Sequence, residues 1–393
     1  KDNFNFPNIG GPGGIKAGGT TNFQVGGDTS GNIMKDPITQ EVVLFITGES
    51  NNQQAVNELK SLLQSKISKS ESVTGFFFRA FFTLTRLYVR EHYPVVQIHN
   101  MPDFLVFVTL VPKLLGARIL LDMHDITPEL FQSLYGISEK SLTFKLLIFV
   151  EQMSLAYADA VLTVNRNIRD LFLTRNPIAH KMEVVMNAPD PRHFTPGEAG
   201  ASTPNGTFRL FHHGQVLRRY NFEVALDGFQ LAKQQIPGLE LDIYGDGEEA
   251  YLNELKAQVH TQGLSKSVRF HERVSVDQIP DLISNAHLGL VPCKQDVFVD
   301  KVMLPVRLLE YVVMGLPTVV ARVKTVEAYF RDDEVAYYPP NDAGKMAERI
   351  VDLYKNPTRI HEMSLRAQKA FRDYEWPKMQ IRYYRVLDRL LNS

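Results

Sequence analysis

The sequence has 393 residues, of which 44% are hydrophobic and 22% are charged, and its formal net charge is −1. These proportions are typical of a globular protein with an apolar core, and the near-neutral charge gives no reason to expect nucleic acid as a partner. The single cysteine, Cys293, excludes an intrachain disulfide and a cysteine-rich zinc site. No apolar run reaches the roughly 18 residues of a membrane-spanning helix, and no signal-peptide pattern is visible. We therefore expect a cytoplasmic protein that meets any membrane peripherally, at its inner face.

Residues 1–40 are rich in glycine and poor in aliphatic side chains. Such a segment buries too little apolar surface to offset its ordering entropy, which predicts a flexible tail. The alternative is a phosphate-binding glycine loop around Gly10–Gly14. That loop needs a strand before it and a helix after it, and neither is evident.

Strands and helices then alternate over residues 41–196, which indicates a parallel sheet covered on both faces. The predicted strands are Val42–Thr47, Val95–His99, Arg118–Met123, Ala160–Val164 and Met182–Met186. The predicted helices are Gln53–Leu63, Phe76–Arg90, Phe104–Leu115 and Leu142–Tyr157.

A small, turn-prone stretch at residues 197–206 predicts a linker, and the alternation restarts over residues 207–375. The predicted strands here are Phe208–His212, Leu239–Tyr244, Val268–His271, Leu288–Val291 and Thr318–Ala321. The predicted helices are Phe222–Gln235, Val276–Asn285 and Leu304–Val313. Residues 376–393 have helical apolar spacing and are expected to pack back towards the first domain. Ligands of such sheets sit beyond the carboxyl ends of the strands, so chemistry is expected in the loops that follow them.

Several of those loops carry motifs that follow one another in a recognisable order. They are HNMPDFLVF from His99, DMHDITPELF from Asp122, HHGQVLRRYN from His212, YGDG from Tyr244, HERV from His271 and LPVRLLEYVVMGLP from Leu304. Together these motifs resemble family 4 glycosyltransferases over residues 75–390. The resemblance implies the GT-B fold, an α/β architecture of two Rossmann-like, doubly wound domains facing a cleft. It also implies sugar transfer from a nucleoside diphosphate sugar to an acceptor hydroxyl with retention at the anomeric carbon, in cell-surface or exported polysaccharide synthesis.

The segment from Leu304 to Pro317 carries the main donor-site prediction. Leu304 and Pro305 stand where a helix begins, so that the first-turn amides and the helix dipole can face a diphosphate. Arg307 could add a charge-assisted contact. The Glu310 carboxylate could accept hydrogen bonds from both ribose hydroxyls, and Gly315 would end the helix.

One position departs from the family pattern. The family often has a second acid eight residues before the glutamate, close to the transferred sugar, and Val302 stands there in this sequence. Asp296 and Asp300 are nearby but out of register.

The loop after the first strand of the second domain supplies the cations. Gly214 would let the backbone approach the donor closely. By resemblance, Arg219 neutralises the leaving diphosphate, and Arg218 is the alternative. Asn221 stands where the family often has glycine, and asparagine tolerates left-handed backbone angles.

Two further loops complete the predicted donor site. Tyr244 and Gly245 belong to a short glycine turn after a strand. Val274 belongs to the loop that resembles the family's base-contacting segment.

In the first domain, His124 ends a predicted strand and is our candidate for contact with the reacting sugar, as a histidine on a comparable family loop does. Asp125 is expected to orient it, and these two join Arg219 as predicted catalytic residues. His99 and Asp103 follow another strand and are predicted on the acceptor side, where a saccharide or lipid-linked acceptor would bind.

No carboxylate-rich metal motif stands out, so we predict a metal-independent reaction with no cofactor beyond the donor substrate. Arginines and helix-terminal amides would stabilise the leaving group. The sequence also supplies no candidate nucleophile for a glycosyl-enzyme intermediate.

Phenylalanines mixed with arginines in Phe76–Arg90 suit a membrane-surface helix, and a core helix with a basic edge is the alternative. The family's usual opening, a strand with a glycine loop and a long helix, has at most a divergent form at residues 42–63. A catalytically silent nucleotide-sugar-binding scaffold and a nucleotide-sugar epimerase of the same fold therefore remain alternative functions.

Overall fold

The structure is a computed structural model that describes the strands at residues 21–25 and 42–47, residues 73–197 and residues 206–392. The possible glycine loop at Gly10–Gly14, the predicted helix Gln53–Leu63 and most of the predicted linker lie outside these residues. The chain divides into two compact units. The first runs to Val185 and resumes at Ile381, and the second comprises Met186–Gln380. This division precedes the boundary expected near residues 197–206. None of the described helices combines the length and apolar character needed to cross a bilayer.

The first unit contains a six-stranded sheet whose strands lie in sequence order. They are β1 (Thr21–Val25), β2 (Val42–Thr47), β3 (Val95–His99), β4 (Arg118–Met123), β5 (Ala160–Thr163) and β6 (Met182–Val184). Strands β3 to β6 are parallel, as predicted, because their apolar runs are buried between layers. Strand β2 lies antiparallel to both β1 and β3, so this sheet is mixed. Strand β1 falls within the predicted tail, where alternation in TNFQV suits a strand.

The helices of the first unit are α1 (Val73–Glu91), α2 (Leu110–Leu114), α3 (Thr127–Tyr135), α4 (Leu142–Tyr157) and α5 (Arg166–Arg175). A 3-10 helix, Asp103–Thr109, precedes α2 where one continuous helix was predicted. The Leu105 amide bonds to the Pro102 carbonyl, three residues back, which begins the tighter winding.

The second unit contains a six-stranded sheet with the order β12-β11-β10-β7-β8-β9, and all of its pairings are parallel. The strands are β7 (Phe208–His213), β8 (Leu239–Tyr244), β9 (Val268–His271), β10 (Leu288–Val291), β11 (Thr318–Ala321) and β12 (Ala336–Tyr338). The first five match their predicted positions closely. The order reverses between β7 and β10, and this switch point is where doubly wound sheets bind ligands.

The helices of the second unit are α6 (Phe222–Lys233), α7 (Glu249–Thr261), α8 (Ile279–Ser284), α9 (Val297–Lys301), α10 (Val306–Met314), α11 (Lys324–Glu327), α12 (Ala343–Lys355) and α13 (Pro357–Phe371). Helix α10 carries the main donor-site motif. It ends at Gly315, whose φ of +76° is the left-handed conformation expected of a glycine cap.

Helix α14 (Trp376–Leu391) contains the division between the units, since its residues from Ile381 onward group with the first unit. Val386 and Leu390 belong to a buried cluster with Val95 of β3 and Leu120 of β4. These residues recur at helical spacing, so one stripe of α14 covers one face of the first sheet.

Candidate functional site

The loops after β7 and β8 touch through their backbones at two glycines. The Gly214 amide donates to the Tyr244 carbonyl across 2.9 Å, and Gly214 has a φ of +103°. A Cβ atom placed on Gly245 would overlap the Gly214 carbonyl oxygen. Glycine is therefore required at residue 245 for packing, and the two predicted donor-site glycines are brought together.

Arg307 lies on the first turn of α10 and faces the Gly214 loop. A Cβ atom on Gly214 would lie 3.3 Å from Arg307 Nη2. The guanidinium also sits over the Tyr220 ring, 4.4 Å from its centroid. Pro305 is the residue just before the helix rather than its first residue, and it offers no side-chain cap to the first-turn amides.

A buried histidine orients Arg307. Arg307 Nη1 lies 2.7 Å from His212 Nε2, and His212 Nδ1 lies 3.0 Å from the Leu290 carbonyl oxygen. Because a carbonyl only accepts, Nδ1 carries the proton and Nε2 accepts from Arg307. Burial, with the adjacent Arg307 charge, holds the pKa of His212 well below its ordinary value. His212 is therefore a neutral acceptor.

Glu310 lies one turn further along α10, next to the end of β7. One of its carboxylate oxygens is 3.0 Å from His213 Nε2, within ion-pair distance but not aligned as a hydrogen bond. The Glu310 and His213 side chains keep only 14% and 11% of their surface exposed. The carboxylate is thus held at the carboxyl edge of the sheet, where it was predicted to meet a ribose.

The upstream position that the family often fills with an acid is occupied by Val302, which is buried. The two nearby acids have structural partners. Asp296 caps α9 by accepting from the Val299 amide, and Asp300 contacts Lys324.

The two candidate arginines have different surroundings. Arg218 donates to Glu254 across 2.7 Å and covers the Tyr251 ring. The Arg219 guanidinium lies 5.5 Å from the Phe298 ring centroid. Among the described residues, no carboxylate or other acceptor contacts the Arg219 side chain. Arg219 therefore retains its hydrogen-bonding capacity for an anionic ligand, whereas Arg218 is engaged.

Asn221 and Tyr244 shape this region without polar contact to a predicted donor-binding side chain. Asn221 adopts φ +52°, the left-handed conformation expected at that position. Tyr244 stacks on His271 with a centroid separation of 4.1 Å. Val274 is half-buried in the loop after β9, and Leu304 is half-buried before α10.

In the first unit, His99 and His124 meet at one carboxylate. His99 Nδ1 and His124 Nε2 each lie 3.2 Å from Asp122 Oδ2. The orienting carboxylate of His124 is thus Asp122, two residues earlier, rather than the predicted Asp125. The pairing of β3 with β4 places His99 directly opposite Asp122, so the strand register alone indicates the contact between these two residues.

Charge distinguishes the two imidazoles. Burial lowers the pKa of His124, but the charges of the Asp122 and Asp125 carboxylates outweigh it and raise that pKa to about 9. Burial lowers the pKa of His99. Asp122 has a pKa of about 2, because the two histidines overcome the opposing effect of burial. At neutral pH the cluster therefore holds one imidazolium, one neutral imidazole and one carboxylate.

Asp103 is buried rather than open to an acceptor. Its Oδ1 accepts from Asn100 and Thr127, each across 3.0 Å. Burial raises its pKa to about 6. Asn100 Oδ1 in turn accepts from the His124 amide at 2.9 Å, so Asp103 helps to fix the loop that carries His124.

The imidazoles and carboxylate of His99, Asp122 and His124 also form the group that could hold a metal ion. Their ligand atoms lie within 4.8 Å of one another, and no other such group occurs among the residues the structure describes. One carboxylate and two imidazoles suit a transition metal. The same geometry is satisfied without a metal by the hydrogen bonds described above.

Comparison with known proteins agrees with this architecture. Residues 207–356 match the family described as "Glycosyl transferases group 1". No curated protein matches the sequence.

Solved structures resemble most of this chain at low sequence identity. HepE of Anabaena, in complex with UDP, is 14% identical with a TM-score of 0.65, covering 85% of this chain and 89% of that one. Sucrose-phosphate synthase from Thermosynechococcus elongatus is 16% identical with a TM-score of 0.63, covering 83% and 81%. A glycosyltransferase from Rickettsia africae is 12% identical with a TM-score of 0.63, covering 84% of each chain. The chain therefore has the GT-B fold, and its residues 207–356 are similar to the family of group 1 glycosyl transferases.

Proposed function

We propose that this protein is a glycosyltransferase that takes its sugar from a nucleoside diphosphate sugar. One observation carries the proposal. Arg307 and Glu310 lie on successive turns of α10, beside the Gly214 loop and at the switch point of the second sheet. A cation for the diphosphate and a carboxylate for the ribose are thus offered at the position where doubly wound sheets bind nucleotides.

In the proposed reaction, the oxygen of an acceptor hydroxyl replaces the nucleoside diphosphate at the anomeric carbon, and the hydroxyl proton passes to the departing phosphate or to water. Negative charge develops on the leaving diphosphate. Arg219, Arg307 and the first-turn amides of α10 would stabilise that charge. We propose that no metal is required, and that the configuration of the sugar is retained, as the family 4 resemblance implies.

In the first unit, we propose that the His124 imidazolium contacts the transferred sugar. Its side chain is 37% exposed, whereas the Asp122 beneath it is mostly covered. His99 is more enclosed and lines the same cluster. The acceptor would be a saccharide or a lipid-linked saccharide of cell-surface or exported polysaccharide synthesis.

Nucleotide binding tests the proposal directly. Calorimetry would measure the affinity for the diphosphates of uridine, guanosine, adenosine and thymidine and for the corresponding nucleoside diphosphate sugars. UDP-glucose is the first to test, because HepE was crystallised with it. Glu310→Ala should weaken the best ligand about 10- to 100-fold, because hydrogen bonds to a charged group are lost. The matched control is Glu327→Ala, because Glu327 on α11 is a carboxylate that is paired with Arg322. Equal affinity of the wild type and Glu310→Ala would end the assignment.

Turnover separates this proposal from its alternatives. The wild type incubated with donor and candidate acceptors should release nucleoside diphosphate, and NMR of the product should show the donor's anomeric configuration. Treatment with EDTA should leave the rate unchanged. A scaffold would bind nucleotide without turnover, and an epimerase would isomerise the donor without acceptor.

We also propose contact with an anionic membrane surface through the first unit. The outward face of α1 exposes Phe78 and Phe82, and α4 exposes Leu146 and Phe149. Lys145 is exposed within that second stripe. Aromatic and aliphatic side chains bordered by cations suit an anionic lipid interface.

Co-sedimentation with anionic phospholipid vesicles tests this contact. Phe149→Glu should reduce the bound fraction severalfold relative to the wild type, because it replaces an apolar contact by a negative charge that the anionic lipid repels. Leu231→Glu, at an exposed leucine on α6 of the second unit, should not. Equal binding of all three proteins would exclude this surface.

A further inference from the structure

Four polar side chains share one face of the first sheet. Residues 97 and 99 of β3 point to the same side, because side chains alternate along a strand. Asp122 of β4 is directly opposite His99 in the register, and residue 124 follows two positions later. Gln97, His99, Asp122 and His124 therefore form a compact block at the carboxyl edge of this face.

Helix α14 covers the same face and adds a fifth polar group. Its Val386 and Leu390 pack on Val95 and Leu120, and Tyr383 lies one to two turns earlier on the same stripe. The Tyr383 hydroxyl is 2.8 Å from Gln97 Oε1. The helix therefore supplies both an apolar cover and one hydrogen bond to the polar block.

The direction of each hydrogen bond can be assigned in turn. Burial, reinforced by the Asp122 charge, raises the pKa of Tyr383, so its hydroxyl stays protonated and donates to Gln97 Oε1. The Gln97 amide nitrogen then faces Asp122 Oδ2 at 3.2 Å and His99 Nε2 at 3.1 Å, and it can donate to both.

The histidine tautomer follows from that amide orientation. Because His99 Nε2 accepts from Gln97, the His99 proton is on Nδ1, which faces Asp122 Oδ2 at 3.2 Å. Asp122 Oδ2 is thus held by Gln97 and His99 on one side. On the other side it meets His124 Nε2, also at 3.2 Å.

We infer that Gln97 and Tyr383 are positioning residues for His124, acting through the Asp122 carboxylate. Neither needs to touch a substrate, since Gln97 is only 3% exposed. Tyr383 fixes the Gln97 amide, the amide fixes the carboxylate, and the carboxylate fixes the imidazole. The inference rests on the proposed role of His124 in sugar transfer.

Tyr383→Phe tests the relay because it removes the hydroxyl and keeps the ring. We expect kcat to fall about 2- to 10-fold, the range of one intramolecular hydrogen bond. KM for the donor and the affinity for nucleoside diphosphate should stay within twofold, because the predicted nucleotide-binding residues lie in the second unit. Tyr384→Phe, the same change one residue later, is the control and should leave kcat unchanged. Equal kcat for Tyr383→Phe and the wild type would overturn the inference.

NMR tests the same relay without activity. Ring nitrogen-15 spectra of histidine-labelled protein should show His99 as the Nδ1–H tautomer. Tyr383→Phe should change the ring shifts of both His99 and His124, whereas Tyr384→Phe should not. Unchanged shifts in a folded Tyr383→Phe protein would refute the relay. If the wild type transfers no sugar yet these shifts change, the proposed function fails and the relay stands.

A double-mutant cycle separates a relay from general loosening of the helix. Gln97→Leu removes the middle of the relay, so adding Tyr383→Phe should cost no further kcat. Independent, multiplicative losses would contradict the inference. Thermal unfolding of each variant would verify that α14 remains packed. If Gln97→Leu does not fold, Gln97→Asn, which keeps the amide but shortens its reach, takes its place in the cycle.

Discussion

Arg307 donates a hydrogen bond to Nε2 of His212 across 2.7 Å, and His212 is itself fixed by the Leu290 carbonyl. A neutral, fully buried histidine thereby holds a guanidinium against the Gly214 loop. The pair joins two residues of the second unit and is made by the fold itself. The entropy of ordering a long arginine side chain is therefore met by folding rather than by binding.

This relationship predicts a phosphate-specific defect in His212→Leu. Affinity for nucleoside diphosphate should fall about 5- to 20-fold, because Arg307 loses its acceptor and its fixed geometry. Affinity for the same nucleoside without phosphates should not change. Calorimetry on both ligands gives the comparison, with His260→Leu at an exposed position on α7 as the control. Equal losses for both ligands would show that the substitution disturbs the site as a whole.

The two adjacent arginines should differ in function although they look alike in sequence. Arg219→Ala should lower kcat about 100-fold or more, since a cation positioned at developing charge contributes several kcal/mol to the transition state. Arg218→Ala should change kcat less than twofold, because its guanidinium is paired with Glu254 at the surface. Steady-state kinetics with saturating donor measures both. The reverse order would transfer the catalytic role to Arg218.

Gly245→Ala should destabilise the second unit by about 1–3 kcal/mol, because its Cβ would overlap the Gly214 carbonyl oxygen. Gly263→Ala is the control for the effect of adding a Cβ to a positive-φ glycine where no atom would overlap it. Gly263 also has positive φ, at +71°, but open space around it, so a smaller loss is expected. Denaturant unfolding of the three proteins provides the values. Similar stability of Gly245→Ala and the wild type would mean that the two loops can separate.

His124 should titrate near pH 9, well above the ordinary histidine value of 6.5. Because the folded-state pKa is raised, the stabilisation from its ion pair with Asp122 is full below pH 6.5 and is lost as pH rises through 9. NMR titration of the imidazole carbon-bound proton follows this directly. Asp122→Asn should lower the midpoint by more than one pH unit, since it removes the charge. A wild-type midpoint near 6.5 would contradict the pairing.

The strands were predictable because each is a short apolar run bounded by turn residues, and a buried parallel strand needs no other signal. Val95–His99, Leu239–Tyr244 and Leu288–Val291 were predicted to the residue. The antiparallel direction of β2 was not predicted, because the same run of side chains suits either direction. Strand β12 was also missed, since only three residues form it.

The candidate donor site was largely readable from motifs, because its residues fall within a few continuous segments. The side chains that these residues contact in the fold could not be read from the motifs. His212 and His213 stood inside a quoted motif, but only the folded sheet shows which of them meets Arg307 and which meets Glu310. Tyr383 and Gln97 are 286 residues apart, and no local pattern joins them.

The distance in sequence between α14 and the strands that it covers also affects folding during synthesis. Helix α14 can cover Val95 and Leu120 of the first sheet only after residues 381–391 have been synthesised, although strands β3 to β6 emerge from the ribosome much earlier. Contacts so distant in sequence form slowly, and exposed sheet faces favour aggregation in the meantime. Nascent first units should therefore depend on chaperones while the second unit folds as one continuous segment. Ribosome-bound chains that stop before Tyr383 should remain sensitive to protease in β3 and β4.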